Sequence, residues 1–187
     1  MILQKNTWLI WPLWAIAAII GFILGNFSGT PAFAFVPYIQ WGLLATIQWG
    51  VWRLYAYPMR YWIPITLFGV FLGEMIKYIP GYFYFRELGP MFPFSLSLIS
   101  NFYSFLIVSA IKGSLIGFSQ WLLLRNSFYR TGWWVLANAF GFAAAKLVIW
   151  MLLLDGRSYV DLTSGLMFGV ITGALLLLIV MNEKDIS

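Results

Sequence analysis

Six stretches of about twenty residues, at 7–26, 38–56, 61–79, 101–124, 133–154 and 164–181, run almost without charge. A helix rises about 1.5 Å per residue, so each stretch matches a hydrocarbon core about 30 Å thick. Charged residues make up 9% of the chain, against roughly 25% in a soluble domain, too few to cover a folded body in water. The alternation of a lipid-facing barrel is absent. These features predict an all-α polytopic membrane protein, with six transmembrane helices in a single integral membrane domain over 1–187.

The same composition narrows the chemistry. Without cysteine there is no disulfide, thiolate nucleophile or sulfur-bound metal, and without histidine the usual metal ligand and near-neutral general base are missing. No Ser–His, paired-Asp, H-E-x-x-H or G-x-S-x-G arrangement occurs, and no phosphate-binding glycine loop. Asp155 and Asp161 flank Arg157 in a short connection and read as solvated charges. The net charge of +5 is spread singly, which does not make a nucleic-acid footprint. The expectation is a protein without catalysis, cofactor, metal or nucleic-acid partner.

Trp8, Trp11 and Trp14 open the first span where indole rings favour the interface, and such belts account for most of the eleven tryptophans. Ala32-Phe33-Ala34 has the small-x-small form of a cleavage site, so a mature chain starting at Phe35 is an alternative. The length of the first apolar run and its place in the repeat described below favour a retained helix. The longest connection, 80–95, is rich in Pro, Gly, Phe and Tyr and reads as an interfacial or re-entrant loop. Lys5, Arg53, Arg60, Arg125, Arg130 and Lys184 fall on the side of both termini, and Lys77, Arg86 and Arg157 on the other. The excess predicts cytoplasmic termini.

Shifting the chain by 72 residues brings Gln48, Trp49, Arg53, Tyr57, Trp62, Phe68 and Gly69 onto Gln120, Trp121, Arg125, Tyr129, Trp134, Phe140 and Gly141. Seven identities over 22 gapless positions, several in rare residue types, point to internal duplication. Trp14, Gly21 and Gly25 match Trp62, Gly69 and Gly73, while Gly165 and Gly169 match Gly113 and Gly117. The chain therefore reads as three pseudo-repeated helical hairpins, the sixth and first spans forming the third in permuted order. Units of two spans share one orientation, as parallel repeats about an axis along the membrane normal do. The glycine pairs read as seams where helix backbones approach closely.

The alignment also levels the polar residues. Glu74, Lys146 and Asn26 correspond on one set of helices, and Gln40, Lys112 and Ser164 on the other. Counting along the helices puts five of these roughly 18–20 Å from the cytoplasmic boundary, past the middle of the hydrocarbon core, and Ser164 joins them through the repeat match alone. Charges there are costly and usually face a partner or a wet cavity. These six residues are the candidate ligand- or ion-binding set; a Glu–Lys pair with the second lysine snorkelling outward is the structural alternative. By helical angle, Lys112 and Glu74 lie a quarter turn from the glycine faces, which favours a position between neighbouring helices. A shallower layer of Gln48, Gln120, Thr172, Thr66 and Asn138 reads as interhelical polar contacts.

The string G-x-x-x-G-x-x-Q-W-x-x-x-R at 113–125, followed by Gly132-Trp133-Trp134, resembles repeats in uncharacterised multi-pass membrane proteins of bacteria, cyanobacteria-like sequences in particular. The resemblance covers mainly 113–141 and extends to 42–69. It implies a bacterial inner or thylakoid-type membrane and carries no activity. In size and span count the chain is also similar to the substrate-binding membrane components of vitamin transporters, an analogy of fold size. Two functions follow: binding or transport of a small molecule or ion at the polar layer, or an accessory subunit docking onto a larger membrane complex, a homo-oligomer being a further form of partner.

Overall fold

A computed structural model describes residues 8–27, 36–55, 57, 59–76, 94–128, 130–154 and 160–181. Its six helices are α1 (Ile10–Phe27), α2 (Val36–Leu54), α3 (Trp62–Met75), α4 (Phe94–Leu124), α5 (Trp133–Leu154) and α6 (Val160–Val180). Among the described residues every helix or strand longer than a single bridge is a helix. Most of the connection at 80–95, the pair Asp155 and Arg157, and the basic residues Lys5, Lys77, Arg86 and Lys184 lie outside the described residues.

Prolines mark where the helices begin. Pro12, Pro37 and Pro64 each fall within the first three residues of α1, α2 and α3, where a missing N–H breaks no intrahelical bond. Helix α4 begins directly after Pro93, seven residues before the expected start, because Phe94-Ser95-Leu96-Ser97 contains no breaker. Its 31 residues make it about 46 Å long. Helix α6 likewise begins four residues early, at Val160.

By length and composition, two helices can cross a membrane, over Leu106–Leu124 and Leu162–Val180. The apolar segments Ile10–Ile23, Trp62–Met75 and Trp133–Ile149 are shorter.

Each helix packs on its successor, and α6 packs on α1, so the six close into a ring in chain order. The α1–α6 and α4–α5 contacts are the most extensive and α2–α3 the least. Composition explains the ranking. A Cβ on Gly169 would lie 2.7 Å from Ala15 Cα, and one on Gly165 would lie 2.8 Å from Ile19 Cα, so only glycine permits the α6–α1 approach. Gly113 and Gly117 do the same for α4 against α5, meeting Asn138. At the corresponding positions α2 carries Trp41 and Ala45, and its Gly42 would place a Cβ no nearer than 3.9 Å to Leu67.

Aromatic rings fill the middle of the ring in two layers. Trp14, Trp62 and Trp134 meet with centroids 5.7, 5.7 and 6.4 Å apart, and Trp52 stands edge-on to Trp14 and Trp62. Further along, Trp41 stacks on Phe142 at 4.9 Å beside Phe22 and Phe168. Because α2 and α5 are not neighbours in the ring, Trp41 and Phe142 meet across its middle. Each such pair adds about 0.5–1.5 kcal/mol beyond area burial.

Candidate functional site

The shallower polar layer surrounds the tryptophan cluster and is built from it. The indole N–H of Trp62 donates to Gln48 Oε1 (3.4 Å), that of Trp134 to Gln120 Oε1 (2.9 Å), and that of Trp14 to Thr172 Oγ1 (3.2 Å). Gln120 Nε2 in turn donates to Thr66 Oγ1 at 2.9 Å, tying α4 to α3. Thr66 and Thr172 donate to the carbonyls of Trp62 and Phe168, and Asn138 Nδ2 to that of Trp134. All five polar residues are buried. These bonds tie each indole N–H to an acceptor and so hold the rings of Trp14, Trp62 and Trp134 in place.

Sequence reasoning missed these tryptophans. Trp14 stood with the interfacial belt, yet Trp14, Trp52, Trp62 and Trp134 are all fully buried, while Trp8 and Trp133 are exposed. The signal was present in the repeat: Gln48 to Trp62 and Gln120 to Trp134 are both 14 residues apart, a spacing that returns the chain through one turn to the same level.

In the deeper layer, Lys112 Nζ lies 3.0 Å from Glu74 Oε1, an ion pair across the α3–α4 seam. The side chains keep 21% and 18% of their surface exposed, so the pair borders the outside of the ring rather than its centre. The lysine stem crosses over Gly73, where a Cβ would lie 3.4 Å from Lys112 Cγ, so the glycine makes room for the chain that reaches Glu74. The charge offset expected from the helical angle is thus seen as packing between adjacent helices. Lys146 on α5 is half-buried, Ser164 on α6 is fully buried, and both are engaged with neighbouring groups. Gln40 on α2 is half-buried. Asn26 belongs to the last turn of α1, and its side chain lies outside the described residues. The structure therefore joins Glu74 to Lys112 and sets Lys146 and Ser164 on two helices that pack together.

Chemically, the Glu74–Lys112 pair is neutral as a unit, and Lys146, engaged with neighbouring groups, stands at the corresponding position two helices on. Lysine ammonium groups at this level can attract an anion or an anionic headgroup.

No family model, curated protein or solved structure matches this chain.

Proposed function

We propose that the chain is a non-catalytic, six-span membrane protein of three related hairpins, which binds a small anionic molecule or an ion at the polar layer around Glu74, Lys112 and Lys146. The observation that carries this reading is the Glu74–Lys112 pair, 3.0 Å apart and about four-fifths buried in the α3–α4 seam. An ion pair kept in an apolar setting is a poor source of stability, since desolvation offsets most of its attraction. Retaining it, with a further lysine at the equivalent position, fits a binding role. The equivalent Trp–Gln, Trp–Gln and Trp–Thr bonds and the packing of α6 on α1 support the three-hairpin reading. The aromatic filling of the ring supports access from its side over conduction along its axis. The membrane is a bacterial inner or thylakoid-type one, with both termini cytoplasmic.

The test is purification of the whole chain in mild detergent, with mass spectrometry of co-purifying small molecules, for wild type, Glu74→Gln, Lys112→Met and Lys146→Met. An anionic compound present in wild type and depleted in the lysine variants supports the reading. Unchanged small-molecule content and unchanged folding in all three variants sinks it. The accessory-subunit reading draws on a different observation, the large rings of Phe118 and Phe140 exposed on the adjacent helices α4 and α5. A protein partner held in stoichiometric amount by that same purification would favour it.

A further inference from the structure

The repeat breaks at one register. Trp41 of α2 corresponds to Gly113 of α4 and Gly165 of α6, and Val70 of α3 corresponds to Phe142 of α5 and Phe22 of α1. Two hairpins thus pair a glycine with a phenylalanine, while the α2–α3 hairpin pairs a tryptophan with a valine. The large ring of that hairpin is therefore delivered from the other helix. Trp41 lies flat on Phe142, with centroids 4.9 Å and planes 16° apart, and the rings of Phe22 and Phe168 stand nearly perpendicular to it at 6.1 and 6.2 Å. A flat platform with two upright rings beside it is a slot whose shape suits a planar aromatic group.

The slot and its occupant are held differently. Phe142 belongs to α5, where a Cβ on Gly117 would lie 2.9 Å from Asn138 Cβ, and Phe22 belongs to α1, where one on Gly165 would lie 2.8 Å from Ile19 Cα. Phe22, Phe142 and Phe168 are all buried. Trp41 is only half-buried, on the helix that lacks such a seam. A Cβ on Gly42 would come no nearer than 3.9 Å to α3, and the α2–α3 contact is the least extensive in the ring. The Gln48–Trp62 bond across that contact, at 3.4 Å, is also the longest of its three equivalents. Local opening begins where packing is thinnest, so α2 is the helix that can move aside and carry Trp41 out of the stack.

We infer that the slot between Phe22, Phe142 and Phe168 is a binding site for a planar aromatic group, which Trp41 occupies at rest and leaves when α2 moves away from α3. Lys146 follows Phe142 by four residues, and Lys112 precedes Ile116, a buried member of the same cluster, by four. Each lysine is thus one turn, about 6 Å, further along the same helix face. The ligand class is a planar aromatic ring with an acidic group on a short arm. The acidic group rests on the anion-binding reading above, whereas the slot does not. Selectivity follows from the occupant: a ligand must replace the stack that it breaks, which a saturated ring cannot do.

The experiment is fluorine nuclear magnetic resonance of the full chain in mild detergent, with 5-fluorotryptophan in place of tryptophan. The Trp41 signal is assigned by its loss in Trp41→Phe. Indole-3-acetate and cyclohexylacetate, equal in charge and unlike in planarity, are the probes. Indole-3-acetate is expected to shift the Trp41 signal and leave those of Trp14, Trp62 and Trp134 in place, and cyclohexylacetate to need about three- to tenfold more for the same shift, the worth of one stacked pair. Phe142→Leu removes the platform and is expected to erase that advantage, with helix content checked by circular dichroism. Tying α2 to α3 in Gly42→Cys/Leu67→Cys with a short bis-methanethiosulfonate linker is expected to abolish the shift, and a reductant to restore it. A Trp41 signal that stays still at millimolar indole-3-acetate in the wild type, an equal response to the two acids, or a shift that survives the tie overturns the inference. Uncharged indole acting as strongly as indole-3-acetate keeps the slot and overturns the anion reading. An anion lost on lysine substitution while Trp41 ignores both probes keeps the anion reading and overturns the slot.

Discussion

Trp52 and Trp134 are both fully buried in one cluster and differ in the fate of a single atom. The N–H of Trp134 reaches Gln120 at 2.9 Å, whereas the N–H of Trp52 is buried without a hydrogen-bond partner. Trp134→Phe therefore loses a bond and strands the Gln120 carbonyl, while Trp52→Phe removes a donor that was never satisfied. Both lose ring volume. Trp134→Phe is expected to be the more destabilising by about 1–3 kcal/mol, the cost of an unmet buried polar group. Thermal melts of the two variants in one detergent decide it, and equal melting points would mean the polar layer contributes nothing. Arg130 permits a second comparison. Asparagine tolerates its left-handed backbone better than arginine does, so Arg130→Asn is expected to raise stability by up to about 1 kcal/mol in the same assay. At this scale, the levels of Gln48, Gln120 and Thr172 could be read from the repeat, and the shared 14-residue spacing hinted at Trp62 and Trp134 without saying whether those rings face the core. A tryptophan joins an apolar ring to one donor, which suits an interface as well as a core. Only the presence of an acceptor on the helix opposite decides between them.

Between elements, the contact surfaces differ by what a single methyl would meet. A Cβ on Gly69 would lie 2.7 Å from the Cα of Ile116 on α4, with Ser119 Oγ at 2.9 Å and Leu115 O at 3.2 Å, so backbone that cannot swing aside is the nearest obstacle. Gly50, within α2, has nothing within 4 Å of the same position. Gly69→Ala is expected to cost about 1–3 kcal/mol by overpacking, and Gly50→Ala to gain about 0.5–1 kcal/mol from helix preference alone. Denaturation of the two variants side by side measures the contrast; a neutral Gly69→Ala would mean that the α3–α4 seam yields to a methyl group. The all-helical class and the number of helices could be read from apolar runs, because a run of that length admits few other structures. Helix starts were read less well. The seven extra residues at the start of α4 are serine-rich and aromatic, and nothing in their hydropathy distinguishes a helical turn from a loop; the stop at Pro93 does. The Glu74–Lys112 contact depended on how α3 and α4 rotate against one another, which glycine packing sets.

For the molecule as a whole, closing the ring through α6 and α1 puts the two ends of the described chain on neighbouring helices. That arrangement is the same whether six helices cross a membrane or only the two with long enough apolar segments, α4 and α6. Both schemes have an even number of crossings, so both place the termini on one side, and terminal tags cannot separate them. Internal positions can. Between residues 60 and 127 lie α3 and α4: two crossings in the six-span scheme, one in the two-span scheme. Between 127 and 156 lies α5, a crossing in the first scheme and none in the second. The chain has no cysteine, so Arg60→Cys, Ser127→Cys and Gly156→Cys each introduce a unique thiol without removing a native one. With a membrane-impermeant maleimide on intact cells and on inverted vesicles, six spans predict that 60 and 127 label from one side and 156 from the other. Labelling of 127 and 156 from one side and 60 from the other would establish two crossings. The polar layer would then lose the depth on which its proposed role depends, since Glu74 and Lys146 would belong to helices outside the hydrocarbon core.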